Sequence, residues 1–188
     1  DLFIIVLIYV LIAWKQTKQL RYLLWASFVM GLALAHHHVI LFFVPAIAYW
    51  LLTNKTLLKK SSPVRLIVYV GIGLLPYLYI PIAARGTAII NWDRPVDFTG
   101  FVRLVTRADY GTFVSGGFYG AHLIERALQV KGYAQLILVD LSWVGVFLAL
   151  MGGVSFWRKS NRNFLFFFLI ALVSFGPGFF FYASFPIF

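Results

Sequence analysis

Long apolar runs separated by tight basic clusters are the feature that most limits what this chain can become. The runs cover residues 2–14, 22–52, 66–83, 134–156 and 163–188. Between them stand Lys15, Lys18 and Arg21, then Lys55, Lys59, Lys60 and Arg65, then Arg158, Lys159 and Arg162. A run of about 20 apolar residues matches the hydrocarbon core of a bilayer, and Lys/Arg clusters at its edges set its orientation. Composition agrees, with 62% hydrophobic and 12% charged residues, against about 45–50% and about 25% in soluble domains. The net charge of +10 therefore reads as topogenic. Nucleic acid is not expected as a partner, because the basic residues fall in short clusters and not along one phosphate-tracking face. The absence of cysteine removes disulfides, thiolate metal sites and cysteine nucleophiles. No basic n-region or small-residue cleavage site precedes the first run, and the chain reads as a fragment of a larger protein.

The basic clusters predict a topology. Residues 22–52 exceed one span, and His36-His37-His38 interrupt them. Two short helices, 22–35 and 39–52, meeting at the histidines, put the first two basic clusters on one side. Each would be about 21 Å long, too short to cross alone. Residues 66–83 then lead out, 84–133 form a non-cytoplasmic loop, 134–156 return, and 163–188 lead out again. Broken helices at membrane depth are tolerated where they line a cavity or are buried in protein, so an outward-facing cavity walled by the histidines is expected. The sequon Asn54-Lys55-Thr56 argues for the opposite side, but the surrounding basic charge outweighs it. Within the loop, Asp97 can cap a helix over about 98–108. A second amphipathic segment, 121–131, carries His122, Glu125, Arg126 and Gln129 on one side. Both fit helices lying in the headgroup plane.

Several polar residues could carry chemistry. Ionisable side chains at membrane depth are costly and usually functional, which singles out His36, His37 and His38. They could contact substrate phosphate, mark a helix break, or bind a metal. Metal is the weakest of these readings, since consecutive helical residues point about 100° apart, and no cofactor is expected. Arg85 follows Pro76-Tyr77-Leu78-Tyr79-Ile80-Pro81 and could grip phosphate through its planar fork or simply snorkel. Asn91-Trp92-Asp93-Arg94-Pro95 could stack and hydrogen-bond a sugar, with Asp93 as a weak catalytic candidate, or could be a self-paired loop. Arg103 and Arg107 beside Tyr110 could hold lipid phosphate or face headgroups. Asp140 could line the cavity or only favour a helix start. The Gly71/Gly73 and Gly152/Gly153 pairs suit close helix packing. Motifs of P-loop ATPases, nucleophile-elbow serine hydrolases and zincins are absent.

Four of these segments, in order over residues 20–115, resemble the membrane-protein family, formerly a domain of unknown function, that includes the transmembrane protein O-mannosyltransferases. They are Gly31-Leu32-Ala33-Leu34-Ala35-His36-His37-His38, then Leu75-Pro76-Tyr77-Leu78-Tyr79-Ile80-Pro81 with Arg85, then Asn91-Trp92 with Pro95, and finally Phe101, Arg107, Tyr110 and Gly111. Two departures stand out. Asp93-Arg94 replaces the family's Gly-Asp, and the family's acidic signature of the first outer loop is missing, which would place the catalytic carboxylate before Asp1. The resemblance implies an all-α integral membrane protein with a GT-C-like multi-helix bundle of short broken helices. It implies an inverting glycosyltransferase that takes a sugar, mannose among the candidates, from a polyprenyl-phosphate carrier to a protein or glycan acceptor. His36, His37, His38, Arg85, Asn91, Trp92, Arg107 and Tyr110 would bind donor or phosphate. The membrane would be a bacterial inner membrane or the endoplasmic reticulum. A transporter or lipid flippase with an outward-facing cavity is the alternative.

Overall fold

The computed structural model describes residues 2–59, 61–86, 93–110, 122–159 and 161–183. Every regular element among them is helical: α1 (Leu2–Thr17), α2 (Leu20–His36), α3 (Val44–Thr53), α4 (Lys55–Leu58), α5 (Pro63–Gly73), α6 (Tyr79–Ala84), α7 (Phe98–Thr106), α8 (Leu123–Arg158), α9 (Arg162–Val173) and α10 (Phe179–Ala183). The chain forms two compact units, one from Asp1–Leu41 with Asn54–Thr112, the other from Phe42–Thr53 with Phe113–Phe188.

In the first unit α1 and α2 pack as a hairpin. Lys18 takes a left-handed conformation (φ 58°) at the turn, where its N–H still reaches the Trp14 carbonyl at 2.8 Å. Such a left-handed residue ends a helix cleanly. Leu7, Val10, Leu11 and Trp14 form the buried stripe of α1, at the i, i+3, i+4, i+7 spacing of one helix face.

The closest packing in this unit is between α2 and α5. A Cβ on Gly31 would overlap the Val70 carbonyl and lie 2.9 Å from Gly73 Cα. One on Gly73 would overlap the Phe28 carbonyl and lie 2.8 Å from Gly31 Cα. Two glycines from different helices thus let the backbones touch, as small residues do at membrane helix crossings. Gly73 meets the packing role expected of it, with Gly31 as its partner. Gly71 and Gly152 face open space, and Gly153 makes only an ordinary contact to Leu165. Beyond the crossing, Pro76 cannot donate to the carbonyl four residues back, and the helix pair Pro63–Gly73 and Leu75–Ala84 bends by 44°.

In the second unit α3 lies on α9 through aromatic rings. Trp50 sits 4.9 Å from Phe164 and 5.3 Å from Phe167, and Phe43 sits 5.6 Å from Phe167. Phe43, Trp50 and Phe167 are all buried. Phe166 and Phe168 of the same run stay exposed, so the phenylalanine-rich segment divides between core and outer surface. Helix α8 joins the amphipathic segment 121–131 to the apolar run 134–156, with a kink at Ser142 (φ 57°, ψ 172°). The π-helical turn Ser174–Gly178 contains Pro177 and seats Gly176 under the ring of Tyr133.

Large apolar side chains cover the outside, among them Ile67 (70%), Val139 (78%), Trp143 (75%) and Leu150 (66%). Water does not tolerate so extensive an exposed apolar surface. Helices Leu123–Arg158 and Arg162–Tyr182 are long and apolar enough to cross a bilayer, and the bent pair Pro63–Ala84 is a third candidate. The chain is part of an integral membrane protein. Asn54, the sequon asparagine, is only 9% exposed, which leaves it poorly placed as a glycan acceptor.

The glycine crossing yields a paired prediction. Gly73→Ala should lower stability by about 1–3 kcal/mol through overpacking against backbone, seen as a depressed thermal midpoint in detergent. Gly71→Ala, two residues away in open space, should leave it unchanged or raise it, since alanine is the better helix former.

Candidate functional site

The histidine triplet sits where α2 ends. His37 is extended (φ −160°, ψ 127°), and its N–H makes the last helical bond, to Ala33. The Val39 N–H then donates to His37 Nδ1 at 3.2 Å, so the imidazole replaces a carbonyl that the broken helix cannot supply. This bond leaves the His37 proton on Nε2. A six-residue 3-10 segment, His38–Phe43, follows and leads into α3. Pro45 lies in the first turn of α3, where its missing N–H costs least.

The three rings diverge. His36 leans on Phe3 of α1, with centroids 5.4 Å apart. His37 remains exposed at the break. His38 turns inward, its Nε2 3.2 Å from the Tyr77 hydroxyl. That hydroxyl donates at 2.9 Å to the carbonyl of Leu34. Its single hydrogen is thereby used, so His38 Nε2 is the donor in their contact. Among the described residues no three His, Cys, Asp or Glu side chains gather as metal ligands.

The loop helix α7 completes this corner. Asp97 caps it, its Oδ1 accepting from the Gly100 N–H at 2.6 Å. It ends at Arg107, a left-handed residue (φ 55°, ψ 37°) whose N–H bonds back to Arg103 and Leu104. The His38 ring lies in hydrogen-bonding range of the Val105 backbone and feels the Arg107 charge. One corner thus holds His38, Tyr77 and Arg107, drawn from a broken helix, a bent helix and the end of α7. The Arg107 guanidinium, close enough for its charge to act on His38, is the group here suited to an anionic oxygen.

A second polar feature lies on another face of α7. Asp93, Gly100, Arg103, Leu104 and Asp109 line a cleft of about 210 Å³, and Arg103 pairs with Asp109. Asp93 and Arg94 are both left-handed, at φ 54° and 39°. The cleft offers both hydroxyl acceptors and a donor. Arg85 is exposed directly after α6. Asn91 and Trp92 lie outside the described residues, and Tyr110 closes the short 3-10 turn Ala108–Tyr110. Asp140 is exposed, two residues before the kink in α8. Reading the sequence missed Tyr77 and Asp109 as site residues. Tyr77 carried a usable signal, a polar tip inside an apolar Pro-flanked segment, whereas Asp109 had none.

No family model matches the sequence, and no solved structure matches it. A curated relative does. Protein O-mannosyl-transferase TMEM260 of Mus musculus is 27% identical over 146 residues, covering 73% of this chain. The chain is similar to that protein over most of its own length. It spans about one fifth of the relative's length, 20%.

The Tyr77 hydroxyl bridges two groups at the break, which is testable by its removal. Tyr77→Phe should cost about 1–2 kcal/mol by stranding the Leu34 carbonyl and the His38 donor. Tyr79→Phe, on an exposed ring, should change nothing measurable in the same thermal-unfolding assay.

Proposed function

We propose that the parent protein is a GT-C type membrane glycosyltransferase, which moves a sugar from a polyprenyl-phosphate carrier to a protein or glycan hydroxyl on the non-cytoplasmic side. Mannose is the first sugar to test. The observation that carries this reading is the relationship to a protein O-mannosyl-transferase. The corner formed by His38, Tyr77 and Arg107 supports it, because such a reaction needs cationic and donor groups where a lipid phosphate leaves.

The chemistry assigned to these residues is electrostatic. A carboxylate elsewhere in the parent protein takes the acceptor proton. The hydroxyl oxygen attacks the anomeric carbon, and the bond from that carbon to the phosphate oxygen breaks with inversion. The electron pair stays with the phosphate, which changes from a diester to a more highly charged monoester. Arg107 is assigned to that growing charge, with His38 held beside it by Tyr77 and His36, His37 and Arg85 along the approach. Fixed donors aimed at developing charge commonly supply factors of about 100 to 1,000 in rate. Asp93, with Arg103 and Asp109 in the adjacent cleft, is assigned to sugar or acceptor hydroxyls, together with Asn91, Trp92 and Tyr110 of the same loop.

The left-handed backbone at Arg107 makes a clean variant available. Arg107→Gly removes the guanidinium while relieving a conformation that glycine adopts freely. The full-length protein in nanodiscs would be given radiolabelled polyprenyl-phosphate hexose and an acceptor extract. Label should leave the lipid with the wild-type protein, and Arg107→Gly should lower its turnover about 100-fold without lowering the thermal midpoint. Unchanged turnover in Arg107→Gly would remove its assigned role. Saturable lipid binding without release for any donor tried would favour the flippase reading.

A further inference from the structure

In the second unit, a groove has no part in the site above. Phe147, Leu150, Met151, Val154 and Ser155 line it along α8, and Arg158 and Lys159 close one end. Its volume is about 500 Å³. The apolar members recur at i, i+3, i+4 and i+7, one continuous face of a helix. Leu150 and Val154 also line a second apolar groove of about 570 Å³, which reaches Trp157 and Leu165 on the α8–α9 hairpin. Arg162 stacks on Trp157, its guanidinium carbon 4.5 Å from the ring centroid. Three basic residues therefore stand around the mouth of the grooves, and none of the lining residues is acidic.

Dimensions and charge together define the occupant. Phe147 and Arg158 stand eleven positions apart, about 16 Å along a helix. One leaflet of a bilayer is about 15 Å of hydrocarbon, half of the whole core. An apolar trough one leaflet long, with cations at its interfacial end, has the length and polarity of a single phospholipid. Arg158 and Lys159 are exposed helix-end residues, free to reach a headgroup phosphate. Basic residues at the end of a membrane helix attract anionic headgroups in this way.

We propose that this groove binds one anionic phospholipid, with an acyl chain along α8 and its phosphate between Arg158 and Lys159. This site is separate from the proposed transfer chemistry and does not depend on it. The basic cluster at residues 158–162 acts as a lipid anchor as well as a topological signal.

Two measurements on the full-length protein in detergent decide the matter. Native mass spectrometry would compare titrations with phosphatidylglycerol and phosphatidylcholine. Phosphatidylglycerol should be retained preferentially, and Arg158→Gln with Lys159→Gln should weaken it about 30-fold. The charge-keeping exchange of Arg158→Lys with Lys159→Arg should bind normally. The second measurement leaves the mouth intact and places the photoreactive residue benzoylphenylalanine at Met151 in protein reconstituted with phosphatidylglycerol. Adducts to the lipid support the proposal. Adducts to another protein segment, or equal retention of both lipids, would overturn it.

Discussion

The contact between Gly31 and Gly73 governs the first unit. Because neither residue has a Cβ, α2 and α5 approach until their backbones touch. One turn beyond the crossing on α2 lies Leu34, and one turn beyond Gly73, in the 3-10 turn Leu75–Leu78, lies Tyr77. The spacing fixed by the glycines is what lets the Tyr77 hydroxyl reach the Leu34 carbonyl and the His38 ring. A larger residue at either crossing position would separate the helices and break both bonds together. The polar corner is thus a consequence of a packing contact made by backbone against backbone.

The surrounding solvent decides what the rest of the surface looks like. Leu123 and Ile124 of α8 are exposed, while Gln129 on the same helix is fully buried. Arg126 donates to Gln129 at 3.1 Å and to the Phe181 carbonyl at 2.9 Å, with its guanidinium 5.0 Å from the Phe181 ring centroid. Polar groups turned inward and satisfied by protein, with apolar groups turned outward, is the order a bilayer imposes. The interrupted helices follow the same rule. The break at His37 is supplied with a side-chain acceptor, and the Leu34 carbonyl just before it is supplied with the Tyr77 hydroxyl.

Much of this was legible in the sequence because periodicity and punctuation act locally. The polar triplet His36-His37-His38 marked the break between α2 and the 3-10 segment, Asp97 marked the start of α7, and the basic clusters marked the ends of the apolar runs. Long-range pairings were not legible. Gly73 could be assigned to packing, but nothing local identified Gly31 as its partner or distinguished it from Gly71. The continuity of α8 from residue 123 was hidden because the polar side of its first turns resembles that of an interfacial helix. In the site, the histidines and Arg107 announced themselves as charges in apolar surroundings. That only His38 turns inward, and that Arg103 belongs to a different cleft from Arg107, depends on how α7 folds back, which no local pattern encodes.

The central claim is that the corner made by His38, Tyr77 and Arg107 receives the phosphate of a lipid-linked sugar. A polyprenyl-phosphate sugar carrying a photoreactive group next to its phosphate would test it, with the full-length protein in nanodiscs and the adducts located by mass spectrometry. Adducts confined to residues 34–38, 77 and 103–110, and competed away by unlabelled donor, are the predicted result. Competable adducts elsewhere in the protein, with none in those segments, would contradict it.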